Sequence, residues 1–106
     1  MIYVVASVEL QAGTRERFLE ELRALTPEVL REHGCLEYCG TVDAPSGLAA
    51  QGEVRADVVT IVEKWADMTA LSAHSVAPHM KSYRQRVAAY VRKTSLQVLT
   101  PAWPAG

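Results

Sequence analysis

The chain has few cysteines, and the two that it has lie close together in sequence. Among its 106 residues only Cys35 and Cys39 carry thiols, and both fall in a segment that we interpret as a β-strand. Residues four apart on a strand lie about 13 Å from each other, whereas a disulfide needs Cα atoms within about 7 Å. Two thiols without a second pair also make a poor zinc site. We therefore expect both cysteines to be free, as in a reducing compartment.

An excess of charge and long apolar runs are also missing. The 11 basic and 12 acidic side chains give a net charge of -1, which offers no electrostatic attraction for nucleic acid or anionic membranes. No apolar run approaches the roughly 20 residues that span a bilayer, and residues 1–10 lack the basic start of a signal peptide. These absences predict a cytoplasmic protein with neither nucleic acid nor a membrane as a partner.

Motifs that identify common enzyme classes are absent as well. The sequence contains no P-loop, no dinucleotide-binding glycine pattern after a strand, and neither the G-x-S-x-G nor the H-E-x-x-H pattern. Hydrophobic residues make up 49% and charged residues 22%, as in an ordinary folded domain. A chain of this length forms one domain, which we place at residues 1–100, with residues 101–106 as a C-terminal tail that carries Trp103.

Four segments have the composition and alternation of β-strands. They are residues 2–10, 35–42, 57–65 and 94–100. In the third segment, β-branched residues at positions 58–62 predict burial of both faces. The connection at residues 43–56 is rich in turn-forming and small residues, and its length suits either a lid or a long flexible hairpin.

Helical spacing of apolar residues fills the gaps between the strands. After the first strand, Thr14 is a plausible N-cap, and the apolar stripe comprises Phe18, Leu22, Leu25 and Val29. We expect Pro27 to break this helix, Thr26 to cap a short restart, and Gly34 to end it. After the third strand, Asp67 caps a short helix. A second helix begins near Pro78, with a stripe of Met80, Tyr83, Val87 and Tyr90.

The resulting order is β-α-β-β-α-β, which predicts an α+β ferredoxin-like sandwich: a four-stranded antiparallel sheet with helices on one face. Because strands one and three carry apolar residues on both faces, we expect the uncovered face to be buried against a second copy in a homodimer. RNA-recognition motifs share this order, but they need aromatic residues on the exposed strands and a basic surface. The third strand reads VVTIVEKW, so we exclude RNA binding.

Three segments carry a resemblance to a known family. REHGCLEY (residues 31–38), IVEKWADMTALSAH (61–74) and APHM (77–80) resemble the antibiotic biosynthesis monooxygenase (ABM) domain family. The resemblance implies a dimeric α+β barrel of ferredoxin-like protomers, each with a pocket between its sheet and helices. It also implies cofactor-free oxidation of a small aromatic substrate, a quinol or an anthrone-like polyphenol, by O2.

The chain departs from that family at two strand positions and in the connection at residues 43–56, which looks longer than is usual for the family. Members that degrade haem have an asparagine on the first strand, where this chain has Ala6 or Ser7. Members that modify polyketides have an asparagine on the third strand, and residues 60–62 contain none. Other members isomerise small sugar-like signals or have no known activity. A small-molecule isomerase and a non-catalytic, stress-related binding protein therefore stay open as alternatives to the monooxygenase.

The catalytic candidates are two histidines that flank a proline. His79 is the preferred base, because the resemblance places it at the pocket and the ordinary pKa of histidine lies near neutrality. His74 is the second candidate, although it suits a partly exposed structural position on the short helix. The two are five residues apart, so only the break at Pro78 can bring both to one opening. Glu63 is the nearest third ligand that the sequence offers, so we expect no metal site. The family resemblance, in turn, implies that no cofactor is needed.

Four further residues are candidates for substrate binding. Trp65 and Glu63 share a strand face, and the indole either stacks on a planar substrate or closes the core. Tyr38 and Tyr83 either donate phenolic protons to a bound oxygen or pack in the interior.

Overall fold

The computed structural model describes residues 1–103, and its regular elements follow the predicted order, with two helices between the third and fourth strands. The elements are β1 (Ile2–Leu10), α1 (Arg15–Leu30), β2 (Cys35–Thr41), β3 (Val58–Trp65), α2 (Met68–Ser75), α3 (Pro78–Val87) and β4 (Val91–Leu99). The antiparallel sheet has the strand order β2-β3-β1-β4. This confirms the ferredoxin-like prediction; the sheet is open rather than closed into a barrel. Residues 104–106 of the predicted tail lie outside the described part of the chain.

The central strand β1 has the predicted alternation. Every second residue, Ile2, Val4, Ala6, Val8 and Leu10, is buried beneath the helices. The same face of β3 carries Val59, Ile61, Glu63 and Trp65, all buried. The opposite face of β3 is mostly half-exposed, at Thr60, Val62 and Lys64. The prediction that both faces of this strand are buried is therefore wrong for the single chain.

Helix α1 runs without a break through Pro27, contrary to the predicted restart at Thr26. Proline removes one intrahelical hydrogen bond, but Leu25 and Val29 on either side are fully buried and hold both halves of the helix on the core. The hydroxyl of Thr26 donates to the carbonyl of Leu22 at 2.7 Å within the same helix instead of capping a new one. Packing of the apolar stripe thus outweighs the local preference for a break.

The helical connection after β3 is divided as predicted. The carboxylate of Asp67 caps α2 by accepting from the backbone N–H of Ala70 at 2.8 Å. Ala77 is extended, as a residue before proline prefers, and Pro78 begins α3. Tyr90 lies beyond the end of α3, contrary to the predicted stripe. Its N–H bonds the carbonyl of Val87 at 2.8 Å, so the chain has already turned towards β4.

The long connection between β2 and β3 contains no helix or strand, yet its two ends are fastened together. The guanidinium of Arg55 donates to both carboxylate oxygens of Asp43, at 2.7 and 2.9 Å, and its backbone N–H donates to the same group. These bonds lower the pKa of Asp43 to about 2. A bidentate pair of this kind fixes geometry well, which favours the hairpin interpretation over a freely moving lid.

The sheet face opposite the helices is uncovered in the single chain. Val5 is 39% exposed and Leu99 is 44% exposed on this face, beside Tyr3, whose ring faces the ammonium of Lys64 at 5.7 Å. In the described residues, no helix is long and apolar enough to cross a membrane. The predicted homodimer is not tested by a single chain and stays a prediction.

Candidate functional site

A cavity of about 690 Å³ lies between the sheet and the helices. This volume falls in the range of small-molecule sites. Its walls are mainly apolar, because alternate residues of β1, β3 and β4 point to this face. The apolar lining includes Val4, Ala6, Val8, Phe18, Ile61, Leu71, Met80, Val87, Leu96 and Val98. Leu96 on β4 lines the cavity and is 55% exposed, so the cavity opens to solvent along this edge strand.

A small number of polar side chains reach the same cavity. Four of them are predicted site residues: Tyr38, Glu63, His74 and Tyr83 line it. The other two predicted residues, Trp65 and His79, are not part of the lining. Sequence reasoning missed the polar lining residues from α2, α3 and β4, which are Ser72, Ser75, Arg84 and Thr94.

Both histidines converge on one carboxylate that the sequence analysis did not single out. Glu32 lies in the turn after α1, and its Oε2 is 2.8 Å from Nδ1 of His74 and 2.7 Å from Nε2 of His79. The side chains of Glu32 and His74 are 13% and 7% exposed, whereas that of His79 is 24% exposed. The expectation that His74 is partly exposed is therefore wrong. The break at Pro78 does bring the two rings together, but around Glu32.

The shared carboxylate determines which nitrogens carry protons. An ionised carboxylate only accepts hydrogen bonds, so each ring nitrogen that faces it is a donor. Beside an ionised Glu32, His74 therefore carries a proton on Nδ1. In the neutral ring Nε2 is then the acceptor, and His74 is the histidine that lines the cavity. His79 already uses Nε2 for Glu32 and does not line the cavity, so the geometry favours His74 over His79 as the base.

Trp65 supports the site from behind. Its indole is fully buried, and its N–H donates to Oε1 of Glu63 at 3.0 Å. Its ring centroid lies 4.7 Å from that of His74, with the planes tilted by 40°. The indole thus fixes both the carboxyl and the imidazole at the cavity wall, which is a different position from the predicted stacking surface for substrate.

Glu63 is an unusual residue for a strand interior, because only 6% of it is exposed. Burial raises the pKa of its carboxyl; the Trp65 hydrogen bond and the charge of His74 oppose this rise, and the charge of Glu32 adds to it. A carboxyl group with a raised pKa can hold a proton nearer neutral pH than an exposed one. Groups of this kind are common in functional sites.

The two tyrosines of the cavity are suited to donating hydrogen bonds. Burial raises the pKa of the Tyr38 phenol, and the nearby charge of Glu63 raises it further. Burial also raises the pKa of Tyr83, which packs edge-on against Phe18 with centroids 6.2 Å apart. Tyr38 lies 5.7 Å from the ring of His74. Both phenols therefore stay protonated and can donate to an oxygen atom of a bound molecule.

Two imidazoles and one carboxylate also form a ligand set that some metals use. Here both ring nitrogens approach a single oxygen of Glu32 at hydrogen-bond distance. Among residues 1–103, no group of three histidine, cysteine, aspartate or glutamate side chains is arranged to hold a metal ion. We therefore interpret His74, Glu32 and His79 as a hydrogen-bonded chain that holds protons.

Comparison with curated proteins finds a relative of nearly the same length. The Escherichia coli K12 protein named probable quinol monooxygenase YgiN is 31% identical over 103 residues, which is 95% of this chain and 98% of that protein.

Solved structures have the same fold. PA3566 from Pseudomonas aeruginosa superposes with a TM-score of 0.79 at 22% identity, over 96% of this chain and 94% of that one. Rv0793 from Mycobacterium tuberculosis has a TM-score of 0.79 at 23% identity, over 99% and 98% of the two chains. The family model described as antibiotic biosynthesis monooxygenase matches residues 1–86. The chain therefore belongs to the antibiotic biosynthesis monooxygenase family.

Proposed function

We propose that this protein is a cofactor-independent monooxygenase that oxidises a small quinol or polyphenol with O2. The observation that carries the proposal is the oriented imidazole of His74, which lines an apolar cavity while Glu32 holds its Nδ1–H at 2.8 Å. Membership of the family and the name of the E. coli relative support a monooxygenase reaction. The cavity volume is in the range of small-molecule sites and leaves room for an aromatic substrate.

In the proposed reaction, Nε2 of His74 removes a phenolic proton from the bound quinol. The resulting anion is electron-rich and transfers electrons to O2, and a carbon–oxygen bond forms at a ring carbon to give a peroxide anion, which takes the proton from His74 to become a hydroperoxide. His74 then removes the hydrogen on that ring carbon while the O–O bond breaks, and it passes this proton to the departing hydroxide, which gives the hydroxyquinone and water. The balance is one quinol and one O2 to one hydroxyquinone and one water, so the substrate supplies all four electrons.

The remaining groups of the cavity have supporting roles in this scheme. The phenols of Tyr38 and Tyr83 can donate hydrogen bonds to substrate oxygens, and the apolar walls exclude water from the anion. Trp65 packs against the His74 ring and donates a hydrogen bond to the carboxyl of Glu63. The preferred base of the sequence analysis, His79, is replaced in this proposal by His74, because His79 does not line the cavity.

The proposal is tested by oxygen uptake with purified protein, no added metal or flavin, and a panel of quinols and anthrones. We expect uptake above the autoxidation blank, and a fall in kcat of about 100-fold or more in His74→Ala, since general bases contribute about 10²–10⁴-fold. His33→Ala is the matched control, because this third histidine is exposed and does not line the cavity. Equal turnover by the two variants would exclude His74 as the base.

One observation favours a small-molecule isomerase as the second candidate. The cavity contains both a base, His74, and a carboxyl group with a raised pKa, Glu63, and such a pair can remove a proton from one carbon and return one to another. An isomerase would consume no oxygen but would exchange substrate hydrogen for deuterium from heavy water. Saturable binding with neither oxygen uptake nor exchange would indicate a non-catalytic binding protein instead.

We also propose that the protein is a homodimer that buries the uncovered sheet face. Val5 lies at the centre of this face and pairs across the sheet with Val62, which in turn pairs with Cys39. In sedimentation velocity, the wild-type chain should run as a dimer and Val5→Lys as a monomer, since a buried unpaired charge is strongly unfavourable. A wild-type chain that stays monomeric at high concentration would refute this arrangement.

A further inference from the structure

The unusual feature of the site is that two histidines from different helices share one carboxylate oxygen. Oε2 of Glu32 accepts from Nδ1 of His74 on α2 and from Nε2 of His79 on α3. Glu32 itself lies in the turn between α1 and β2. The carboxylate therefore connects three elements that adjoin the cavity, although only one of the three side chains, His74, lines it.

We propose that His79 is a positioning residue, which acts through Glu32 to keep the proton of His74 on Nδ1 and its lone pair on Nε2. The inference rests on the proposed role of His74 as the base. It assigns His79 a function that requires no contact with substrate, and it explains why a histidine outside the cavity is built into the same hydrogen-bonded chain.

The need for a second donor follows from the surroundings of Glu32. Its carboxylate is only 13% exposed, and a half-buried charge needs hydrogen-bond donors to compensate for lost water. Its charge is felt across the site, since it contributes to the raised pKa values of Cys35, Tyr38 and Glu63. With His79 removed, Oε2 keeps only the hydrogen bond from Nδ1 of His74. The Glu32 side chain is then freer to leave the rotamer that selects the Nδ1–H form of His74.

The geometry also shows which substitution should preserve the effect. The donor of His79 is Nε2, the more distant ring nitrogen, and the amide nitrogen of glutamine extends about as far from the backbone. Asparagine is one methylene shorter, and leucine has no donor. His79→Gln should therefore keep the contact with Glu32, whereas His79→Asn and His79→Leu should lose it. His79 is partly exposed, so none of these changes opens a hole in the core.

The first experiment uses the resting protein without substrate. Two-bond ¹H–¹⁵N correlation spectra of the imidazole rings report which nitrogen carries the proton. We expect His74 to be in the Nδ1–H form in wild type and in His79→Gln. In His79→Leu and His79→Asn we expect a mixture of both forms. A His74 ring that stays in the Nδ1–H form in all variants would overturn the proposal, as would a wild-type His79 protonated on Nδ1 alone.

The second experiment measures oxygen uptake by the same variants. We expect kcat to fall about tenfold or more in His79→Leu and His79→Asn, the scale of one hydrogen bond to a charged group, with KM nearly unchanged. His79→Gln should recover turnover to within about threefold of wild type on the same reasoning. If His79→Gln loses as much turnover as His79→Leu and His79→Asn, the hydrogen-bond donor is not what matters, and a positioning role is refuted. Absence of oxygen uptake in wild type would reject the proposed function. The imidazole spectra need no turnover, so they would still decide whether His79 controls the proton position on His74.

Discussion

Gly34 is the residue whose replacement should most clearly reveal how the turn after α1 is held against α2. It adopts a φ of +80°, a conformation that glycine tolerates and other residues resist. A Cβ built at this position would lie 2.6 Å from Cβ of Ala70 on α2. The carbonyl of Gly34 also accepts from the N–H of Ala66 at 2.8 Å. Gly34→Ala therefore combines backbone strain with a steric clash.

Gly13 provides a matched control, because it has nearly the same φ of +78° but open space where a Cβ would stand. Gly13→Ala should cost only the left-handed conformation, about 1 kcal/mol after the gain from a stiffer unfolded chain. Gly34→Ala should cost that amount plus about 1–3 kcal/mol for overpacking against α2. The free energy of unfolding should thus fall by about 2–4 kcal/mol in Gly34→Ala.

Urea unfolding followed by tryptophan fluorescence measures both variants against wild type. Trp65 is fully buried, so its emission reports on the core. Equal decreases in the free energy of unfolding in the two variants would mean that α2 does not pack closely against the turn. That result would refute the tight contact that places Glu32 beside His74. A larger loss in Gly34→Ala, accompanied by lower turnover in the fraction that stays folded, would support it.

Two further predictions concern titrating groups. Burial raises the pKa of Glu63 above the ordinary 4.5, so its contribution to stability is present below pH 4.5 and is lost as the pH rises through the folded-state pKa. With rising pH, the free energy of unfolding of Glu63→Gln should therefore increase relative to that of wild type, by at most about 1.4 kcal/mol per pH unit. Urea unfolding over a pH series measures this difference, and parallel curves for the two proteins would contradict the prediction. Arg55 instead lowers the pKa of Asp43 to about 2, so the Asp43–Arg55 ion pair should persist at neutral pH and be lost as the pH falls from about 4 towards 2. Asp43→Asn removes the charge of this pair at pH 7, so amide hydrogen exchange at residues 43–56 should become faster. Unchanged exchange would show that the pair does not hold the connection.

Most of the fold could be predicted from local patterns, because each strand and helix buries one face. Apolar residues therefore recur at the spacing typical of a strand or of a helix. The alternation at residues 2–10, the cap at Asp67 and the helix start at Pro78 are visible in sequence and appear in the structure at the same positions. The helix break predicted at Pro27 is wrong. The local preference of proline for a break is outweighed by the burial of Leu25 and Val29, which depends on contacts that no local pattern reveals.

The candidate site was only partly predictable for a related reason. Six residues were singled out by type and position, and four of them line the cavity. Glu32 was missed because it lies in a turn, 42 and 47 residues before its two histidine partners, and no period marks such a position. The roles proposed for His74 and His79 likewise depend on which ring nitrogen faces Glu32, and that is a property of the three-dimensional arrangement.

The most direct test of the central claim is oxygen consumption by wild type, His74→Ala and His33→Ala with a panel of quinols, in the absence of added metal or flavin. We predict uptake by wild type and His33→Ala, one water and one hydroxyquinone per O2, and a loss of about 100-fold or more in His74→Ala. Uptake that is equal in all three proteins, or absent from wild type across the panel, would contradict the assignment of His74 as the base of a quinol monooxygenase.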